Sequence, residues 1–416
     1  MTAFSAELVQ HIRRHFPALQ REVNGRTPAF FDAPGGTQVP RVVIDAIAEY
    51  MALQNANTGG AFWASIETDA LIWRARERMA AFLNAHSPRE IVFGANMTTL
   101  TFALSRALGA EWGAGDEVVV TTLDHQANVA PWVRMAEERG MTVRTVPFDP
   151  ESVMLDLEVL RASLGPRTRL VAVGYASNAV GTITDVREVA RQAREAGALC
   201  FVDAVHYAPH RLIDVQEVGC DFLACSVYKF FGPHVGVLWG RQEHLERFRP
   251  FKVPPALDTA PERWETGTLN HEGLAGSAAA VEWIASLAPQ AAGGGMRAAI
   301  ESAMRLIERQ EMALFSRLLA GMEEIPGIRI YGPPAGTPRT PTVGFTLSGY
   351  TPREVAARLG EEGISVWEGD FYASTVVQGL GLAERGGLLR AGLAPYVTTG
   401  DVDRLLEALR ALTPAR

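Results

Sequence analysis

The run Asp221-Phe-Leu-Ala-Cys-Ser-Val-Tyr-Lys229 is apolar over most of its length, ends in a lysine and is followed at once by Phe-Phe-Gly-Pro. Such a run, closed by a turn sequence, predicts a buried strand with Lys229 at its carboxyl end. Open α/β sheets bind their ligands at the carboxyl ends of their strands. The position of Lys229 therefore predicts both a class of fold and the edge of the sheet where a site should lie.

Lysine is scarce in this chain: of the 39 basic residues only Lys229 and Lys252 are lysines, and the rest are arginines. Arginine stays protonated, whereas a lysine can lose its proton and act as an amine nucleophile. The count alone fits a lysine kept for chemistry and equally fits two lysines left by chance in an arginine-rich chain. Lys252 lies in a Pro-rich segment, which indicates an ordinary surface charge.

Strands and helices alternate from about residue 70 to residue 240, which predicts a mainly parallel sheet with helices on both faces. The predicted strands are 90–93, 117–121, 142–147, 168–175, 199–202 and 222–227, with 235–239 returning antiparallel. The predicted helices between them are 71–85, 98–108, 130–138, 157–164 and 186–196.

A second, smaller unit is predicted after the Pro-rich segment. Helices at 273–287 and 296–322 lead to a β-α-β-β-α pattern at 342–347, 352–362, 364–367, 387–392 and 400–412. We expect an α/β fold with a large sheet domain at residues 25–290 and a small α+β domain made of residues 1–24 and 291–416.

Composition limits the function classes. The chain has 416 residues, 47% of them hydrophobic and 21% charged, and a net charge of −8, which argues against a nucleic-acid surface. No apolar run is long enough for a membrane span, and the N-terminus lacks the apolar core of a signal peptide. The three cysteines show neither metal-type nor disulfide-type pairing. We expect a cytoplasmic protein whose partners are a small-molecule substrate and a second copy of the chain.

Two features follow early strands. Asn96-Met97-Thr98 lies where a strand turns into a helix, and the free backbone N–H groups of such a turn bind phosphate well. The simpler alternative is that Thr98 or Thr99 caps the helix. His125 follows the next strand and could stack on a planar cofactor, although a lone loop histidine more often has no such role.

Two further features follow later strands, and they change how Lys229 is interpreted. Asn178 stands on a tight turn, and Asp203 ends the strand 199–202. A phosphate turn, a stacking ring, an amide, a carboxylate and a lone lysine match what pyridoxal phosphate needs. Asp203 would keep the pyridine nitrogen protonated, Asn178 would bond the 3′-oxygen, and Ser226 and Tyr228 would donate to the phosphate. Lys229, Asp203 and His125, which would cover the ring, are the expected catalytic residues.

These motifs together resemble the class V aminotransferases of fold type I, and within them the cysteine desulfurase-like group. The matching stretches follow the family's order over nearly the whole chain: Phe31-Asp-Ala-Pro, Gly94-Ala-Asn96-Met97-Thr98, Asp124-His125-Gln-Ala-Asn128, Ser177-Asn178-Ala-Val-Gly-Thr182, Val202-Asp203-Ala-Val-His206, Ser226-Val-Tyr228-Lys229, Glu265-Thr-Gly267-Thr268 and Leu389-Arg390-Ala-Gly-Leu-Ala.

The resemblance implies roles for residues that the strand pattern does not reach. It implies a homodimer in which Thr268 reaches the partner's phosphate, and it implies that Arg390 binds the substrate carboxylate, for which a guanidinium is a suitable partner. Ala33 and Tyr372 are then also expected to bind the substrate. His206, near the 3′-oxygen, stands where the family has a glutamine, and Tyr228 stands where it has a histidine.

A zinc site at His206 and His210 is not expected, although the two have the spacing of a metal pair. Pro209 makes a helix there improbable, and no glutamate of the usual motif lies between them.

The chain departs from the desulfurases where the reaction is decided. Those enzymes carry a catalytic cysteine on a mobile loop before the carboxylate-binding arginine, whereas residues 366–373 here read Val-Trp-Glu-Gly-Asp-Phe-Tyr-Ala. Trp367, Phe371 and Tyr372 suggest an aromatic-lined pocket. We expect an enzyme that acts on an amino acid held covalently by the cofactor, as a C–S lyase or an aminotransferase. An epimerase, a desulfurase with an unusual thiol and a non-catalytic relative remain alternatives.

Overall fold

The computed structural model describes residues 6–288 and 294–413. The α-helices are α1 (Ala6–Arg14), α2 (Arg41–Leu53), α3 (Trp63–Leu83), α4 (Met97–Gly109), α5 (Ala130–Arg139), α6 (Leu157–Ala162), α7 (Val186–Glu195), α8 (Val215–Val218), α9 (Gln242–Arg247), α10 (His271–Ser286), α11 (Met296–Glu323), α12 (Pro352–Glu361), α13 (Ser374–Gly379) and α14 (Thr399–Ala411). None of these helices combines the length and the apolar character needed to cross a bilayer.

The strands of the described residues form one large sheet, one smaller sheet and two short pairs. They are β1 (Ala29–Phe30), β2 (Ile91–Gly94), β3 (Glu117–Thr121), β4 (Thr142–Val146), β5 (Phe148–Asp149), β6 (Met154–Leu155), β7 (Thr168–Gly174), β8 (Leu199–Asp203), β9 (Phe222–Ser226), β10 (Gly236–Gly240), β11 (Ile328–Tyr331), β12 (Thr342–Leu347), β13 (Ile364–Ser365), β14 (Trp367–Gly369) and β15 (Leu388–Gly392).

The large sheet confirms the predicted α/β fold. Its seven strands lie in the order β2-β10-β9-β8-β7-β3-β4. Strands β9, β8, β7, β3 and β4 pair in parallel, and β10 is antiparallel to both of its neighbours. Since two antiparallel pairings separate β2 from β9, β2 points in the same direction as the parallel strands. The carboxyl ends of six strands therefore share one edge.

Alternation along these strands explains how the sheet is buried on both faces. In β3, Val118 and Val120 belong to one apolar cluster, whereas Val119 belongs to the other. The same division separates Phe201 from Val202 in β8. Successive side chains of a strand point to opposite faces, so an uninterrupted apolar strand supplies both cores at once. This is why apolar runs, and not alternating ones, predict the central strands of the sheet.

The smaller sheet, in the order β11-β12-β15-β14, is antiparallel throughout. The predicted strand 364–367 is wrong as a single element, because the chain changes partner within it. Strand β13 pairs with β1, whereas β14 pairs with β15. Strand β11 and helix α13 were not predicted, because four residues and six residues are too short to show a clear periodicity.

The N-terminal helix contacts the C-terminal part of the chain. Arg13 Nη1 donates to Asp401 Oδ2 at 2.9 Å and to the Tyr396 carbonyl oxygen at 2.7 Å. Strand β1 adds a parallel pairing with β13. The predicted boundary between residues 290 and 291 lies outside the described residues, as does the start of the segment 1–24, so the domain limits remain a prediction.

Candidate active site

The predicted site residues meet at the shared edge of the large sheet. Asp203 ends β8, and Lys229 follows β9 by three residues. The charge of Lys229 interacts with Asp203, with His125 and with Arg390, which places these four side chains close together. Arg390 comes from β15 of the smaller sheet. The site therefore lies between the two sheets.

Lys229 ends a single 3-10 turn, Val227–Lys229, and residues 34–37 of the N-terminal part of the chain bond to this turn. Its Nζ donates to the carbonyl oxygens of Pro34 at 2.5 Å and Gly35 at 3.1 Å. The Thr37 N–H donates to the Tyr228 carbonyl oxygen at 3.1 Å. Burial, helped by the positive charge of Arg390, lowers the pKa of Lys229 to about 7. Near neutral pH a large fraction of this amine is therefore uncharged and nucleophilic.

Asp203 is a buried carboxylate at the end of β8, between β7 and β9. Its Oδ1 accepts the Val205 N–H at 2.9 Å. Burial raises the pKa of Asp203 to about 6, and the Val205 N–H and Lys229 oppose that shift. The second carboxylate oxygen of Asp203 can accept a hydrogen bond from a cationic N–H, and a protonated pyridine nitrogen is such a donor.

His125 presents a neutral ring to the site. Its Nδ1 accepts the Ala127 N–H at 3.0 Å, which puts the proton of the neutral ring on Nε2. Burial, together with the charges of Lys229 and Arg390, lowers the pKa of His125 to about 4. The ring centroid lies 5.6 Å from that of Tyr372 at an interplanar angle of 32°. An uncharged ring suits stacking on a flat cofactor.

Asn178 and Arg390 are joined to each other and to the segment before α13. Arg390 Nη1 donates to the Asn178 carbonyl oxygen at 2.9 Å, and Asn178 Nδ2 donates to the Phe371 carbonyl oxygen at 2.9 Å. The Arg390 guanidinium carbon lies 4.1 Å from the centroid of the Phe371 ring. Burial lowers the pKa of Arg390 to about 9, so it remains a cation at neutral pH. Asn178 Oδ1 is buried without a partner.

The turn after β2 has the geometry of an anion site. Asn96 caps α4: its Oδ1 accepts the Thr99 N–H at 2.9 Å, so the cap is neither Thr98 nor Thr99. The Met97 N–H donates to Ser226 Oγ at 3.1 Å. Among the first helical amides this leaves that of Thr98 for a ligand. Gly236 on β10 is required here, because a Cβ would lie 2.4 Å from the Asn96 carbonyl carbon.

Other predicted residues lie near this edge with different degrees of burial. His206 is buried, and its Nε2 lies 3.1 Å from Thr340 Oγ1. Tyr228 stacks on His234, with centroids 4.9 Å apart. Ala33 is buried.

Two of the predicted residues are exposed in a single chain. Thr268 is exposed on a loop, and Tyr372 is 72% exposed at the mouth of the site. The roles of all these residues remain predictions.

Two residues near the site, Asp124 and Asp32, had no predicted role, and a third, Trp367, was predicted only as part of an aromatic-lined pocket. Asp124, next to His125 in the chain, is buried, and its Oδ1 accepts the Gly174 N–H at 2.8 Å. Burial raises the pKa of Asp124 to about 8. Asp32 interacts with Arg390, and burial raises its pKa to about 6. Trp367 packs so closely on the turn that holds Lys229 that a Cβ at Gly35 would lie 2.2 Å from its Nε1. The adjacency of Asp124 to His125 and the Pro34-Gly-Gly sequence were the available signals.

The cysteines and histidines offer no second centre. Cys200, Cys220 and Cys225 are free thiols with at most 1% of their surface exposed, and burial raises the pKa of each. His210 pairs with Glu311, with Nδ1 and Oε2 2.9 Å apart. Across residues 6–288 and 294–413, no three His, Cys, Asp or Glu side chains converge as metal ligands.

Known proteins resemble this chain over nearly its whole length. A cysteine desulfurase of Synechococcus elongatus is 32% identical over 97% of this chain, which spans 63% of that longer protein. A probable cysteine desulfurase of Synechocystis sp. is 32% identical over 97% of this chain and 95% of its own. The apo structure of a cysteine desulfurase from Thermococcus onnurineus superposes with a TM-score of 0.87 at 29% identity, covering 99% of both chains.

Family membership follows from the extent of these matches. The model of the family described as Aminotransferase class-V matches residues 29–405. This range includes both sheets and every site residue discussed above. The chain belongs to the class-V aminotransferase family and is an enzyme that uses pyridoxal phosphate.

Proposed function

We propose that this enzyme is a lyase that eliminates a sulfur substituent from the β-carbon of an amino acid and releases the thiol to solvent. The observation that carries the proposal is the combination of an intact lysine site with three thiols that lie inside the fold. Lys229, Asp203 and Arg390 meet at one edge of the sheet, whereas Cys200 and Cys225 are buried within strands of that sheet.

The residues at the sheet edge fit the cofactor. Asp203 has a spare carboxylate oxygen, Asn178 Nδ2 donates one of its two N–H groups to the Phe371 carbonyl oxygen and keeps the other for the 3′-oxygen, and the first turn of α4 leaves an amide for phosphate. When bound there, pyridoxal phosphate supplies an electron sink that weakens the bonds at the substrate α-carbon. Asp203 would hold the pyridine nitrogen, and His125 would cover one face of the ring.

Lys229 is suited both to hold the cofactor and to move a proton. Attachment needs an uncharged amine, which burial provides by lowering the pKa of Lys229 to about 7. Once the substrate amine has replaced it, the same amine can take the α-proton, because a base is most effective when its pKa lies near the working pH. Arg390 would meanwhile bind the substrate carboxylate and fix the direction of the α-proton.

Buried thiols argue against a protein persulfide. A sulfur transfer of the desulfurase kind requires a thiolate that reaches the substrate sulfur, and only the thiolate is nucleophilic. Cys220 and Cys225 have no exposed surface, and burial raises the pKa of both thiols. This is the basis on which elimination is preferred over the reaction that the relatives are named for.

Product analysis of the purified holoenzyme tests the proposal. With L-cysteine or an S-alkyl cysteine, elimination yields pyruvate, ammonium and the thiol or sulfide in equal amounts. Treatment of the folded enzyme with iodoacetamide should leave this turnover intact, since the thiols are inaccessible. Alanine with protein-bound sulfur would contradict the proposal in favour of a desulfurase. Transfer of the amino group to a keto acid, or loss of optical activity alone, would favour an aminotransferase or an epimerase.

The working form is proposed to be a homodimer. Large apolar side chains are exposed on α2, around the start of α3 and on the segment after α9, where they could pack against a partner chain: Met51, Leu53, Phe62, Trp63, Ile66, Phe251, Val253 and Leu257. Thr268 is exposed and would reach the partner's phosphate site. Sedimentation should give twice the 45.1 kDa of one chain, and a monomer that retains full activity would overturn this part. We also propose a cytoplasmic location, which the three free thiols support.

A further inference from the structure

Residues 370–373, Asp-Phe-Tyr-Ala, form a short strap across the mouth of the site between β14 and α13. Phe371 and Tyr372 both have a φ of 56°, in the left-handed region that side chains other than glycine avoid. Two such residues in succession are costly, and they persist only where the surroundings hold them. Strain of this kind is concentrated at functional sites.

Several contacts hold the strap in place. Asn178 Nδ2 donates to the Phe371 carbonyl oxygen at 2.9 Å, and the Gln126 N–H donates to the Tyr372 carbonyl oxygen at 2.7 Å. Asp370 Oδ1 accepts the Tyr372 N–H at 3.0 Å. Ala373 is fully buried. Asn178 and Gln126, the two residues outside the strap that bond to it, belong to loops that carry predicted cofactor residues. The strap is therefore fixed to the wall of the site.

The strap turns its two rings toward different parts of the site. The Phe371 ring covers one face of the Arg390 guanidinium at 4.1 Å, which leaves the edge of the guanidinium for a carboxylate. The Tyr372 ring lies beside His125, with centroids 5.6 Å apart, and is 72% exposed. Trp367, 47% exposed, packs on Gly35 over the Lys229 turn. Phe371 thus lies on the carboxylate side, and Tyr372 and Trp367 line the outer opening.

Charge at the opening restricts the substrate further. Asp370 lies near His125, where its negative charge opposes the lowering of the histidine's pKa by burial. A second negative charge on the substrate side chain would meet this carboxylate, whereas an apolar group would meet the exposed faces of Tyr372 and Trp367. Aromatic faces bind apolar and aromatic groups by burial and by ring contacts.

We propose that the strap selects S-substituted cysteines with a bulky apolar or aromatic group on sulfur, and that Tyr372 is the main specificity-determining residue. This inference rests on the proposed elimination. Lys229 takes the α-proton, the Cβ–S bond breaks with its electron pair on sulfur, and the thiolate leaves past Tyr372 and takes up a proton. The remaining three carbons and nitrogen take up water to give pyruvate and ammonium, with no net oxidation.

The test compares S-benzyl-L-cysteine with S-methyl-L-cysteine on the holoenzyme. We expect kcat/KM for the benzyl substrate to be at least about tenfold higher, mainly through KM, because the added ring is buried against the opening. Tyr372→Ala should reduce this preference to less than about threefold, and Tyr372→Phe should preserve it because the ring remains. Equal turnover of both substrates by the native enzyme, or an unchanged preference in Tyr372→Ala, would overturn the inference.

A binding measurement separates this inference from the proposed elimination. The amine-free analogues 3-(benzylthio)propanoate and 3-(methylthio)propanoate carry the same carboxylate and sulfur substituent but cannot react. Calorimetry on the holoenzyme should show at least about tenfold tighter binding of the benzyl compound, lost in Tyr372→Ala. If that preference is found while no pyruvate forms, the strap inference stands and the elimination fails. If pyruvate forms while the analogues bind equally, the elimination stands and the strap inference fails.

Discussion

The sheet edge and the strap face the same site but are supported in opposite ways. At the sheet edge, Asp203 and Lys229 follow strands that are buried on both faces, and their backbones are unstrained. In the strap, Phe371 and Tyr372 are held in left-handed conformations by hydrogen bonds from distant loops. We therefore expect the sheet edge to supply the chemistry and the strap to select the substrate.

The largest effect should come from removing a charge at the sheet edge. Asp203→Asn keeps the shape but removes the carboxylate that would pair with a buried cation, and losing one partner of such a pair costs about 3–5 kcal/mol. Turnover should fall roughly 10²–10³-fold, as measured by pyruvate formation. Asp221→Asn is the matched control, because Asp221 lies at the opposite end of β9 and bonds the Cys200 N–H at 2.8 Å. Equal losses in both variants would contradict the assignment.

A pH effect should distinguish Lys229 from an ordinary lysine. Only the uncharged amine attacks an aldehyde, and the pKa of Lys229 is lowered to about 7 by burial. The rate at which the apo chain takes up cofactor should therefore rise about tenfold per pH unit below 7 and level off above it. A free lysine derivative, measured in parallel, should level off only near pH 10.4. A rate for the protein that still climbs between pH 8 and pH 9 would sink this interpretation.

The smallest effect concerns the strain of the strap. Tyr372→Gly should leave the free energy of unfolding about 1 kcal/mol higher than Tyr372→Ala, because glycine adopts a positive φ without the usual cost. Little packing distinguishes the two variants, since the tyrosine is 72% exposed. Denaturant titration measures the difference. Glu368, in β14, is the control position, where glycine should be the less stable choice.

The same contrast explains what could be predicted from the sequence. Strand periodicity placed Asp203 and Lys229 at the ends of β8 and β9, because an apolar run buried on both faces leaves a recognisable pattern. The conformation of the strap left no such pattern. It depends on Asn178, which is 193 residues away in the chain, and on positive φ values at positions without glycine.

Short strands and changes of pairing strand could not be predicted either, because they too depend on residues distant in the sequence. The chain passes from β13 to β14 within a few residues, and the two strands pair with different sheets. Such a change is set by which neighbours lie nearby, not by the side chains of the segment. The capping role of Asn96 was likewise not predicted, because its hydrogen bond with the Thr99 N–H shows only in three dimensions.

Because the chain has only two lysines, the residue that holds the cofactor can be identified directly. Borohydride reduction of the holoenzyme fixes the cofactor to the amine that holds it, and peptide mass spectrometry then identifies the residue. Lys252 is the internal control, because its Nζ lies 3.0 Å from Asp258 Oδ1 in an ion pair on the segment that follows α9. We expect to find the cofactor on Lys229 alone. Label on Lys252, or on neither lysine, would contradict it.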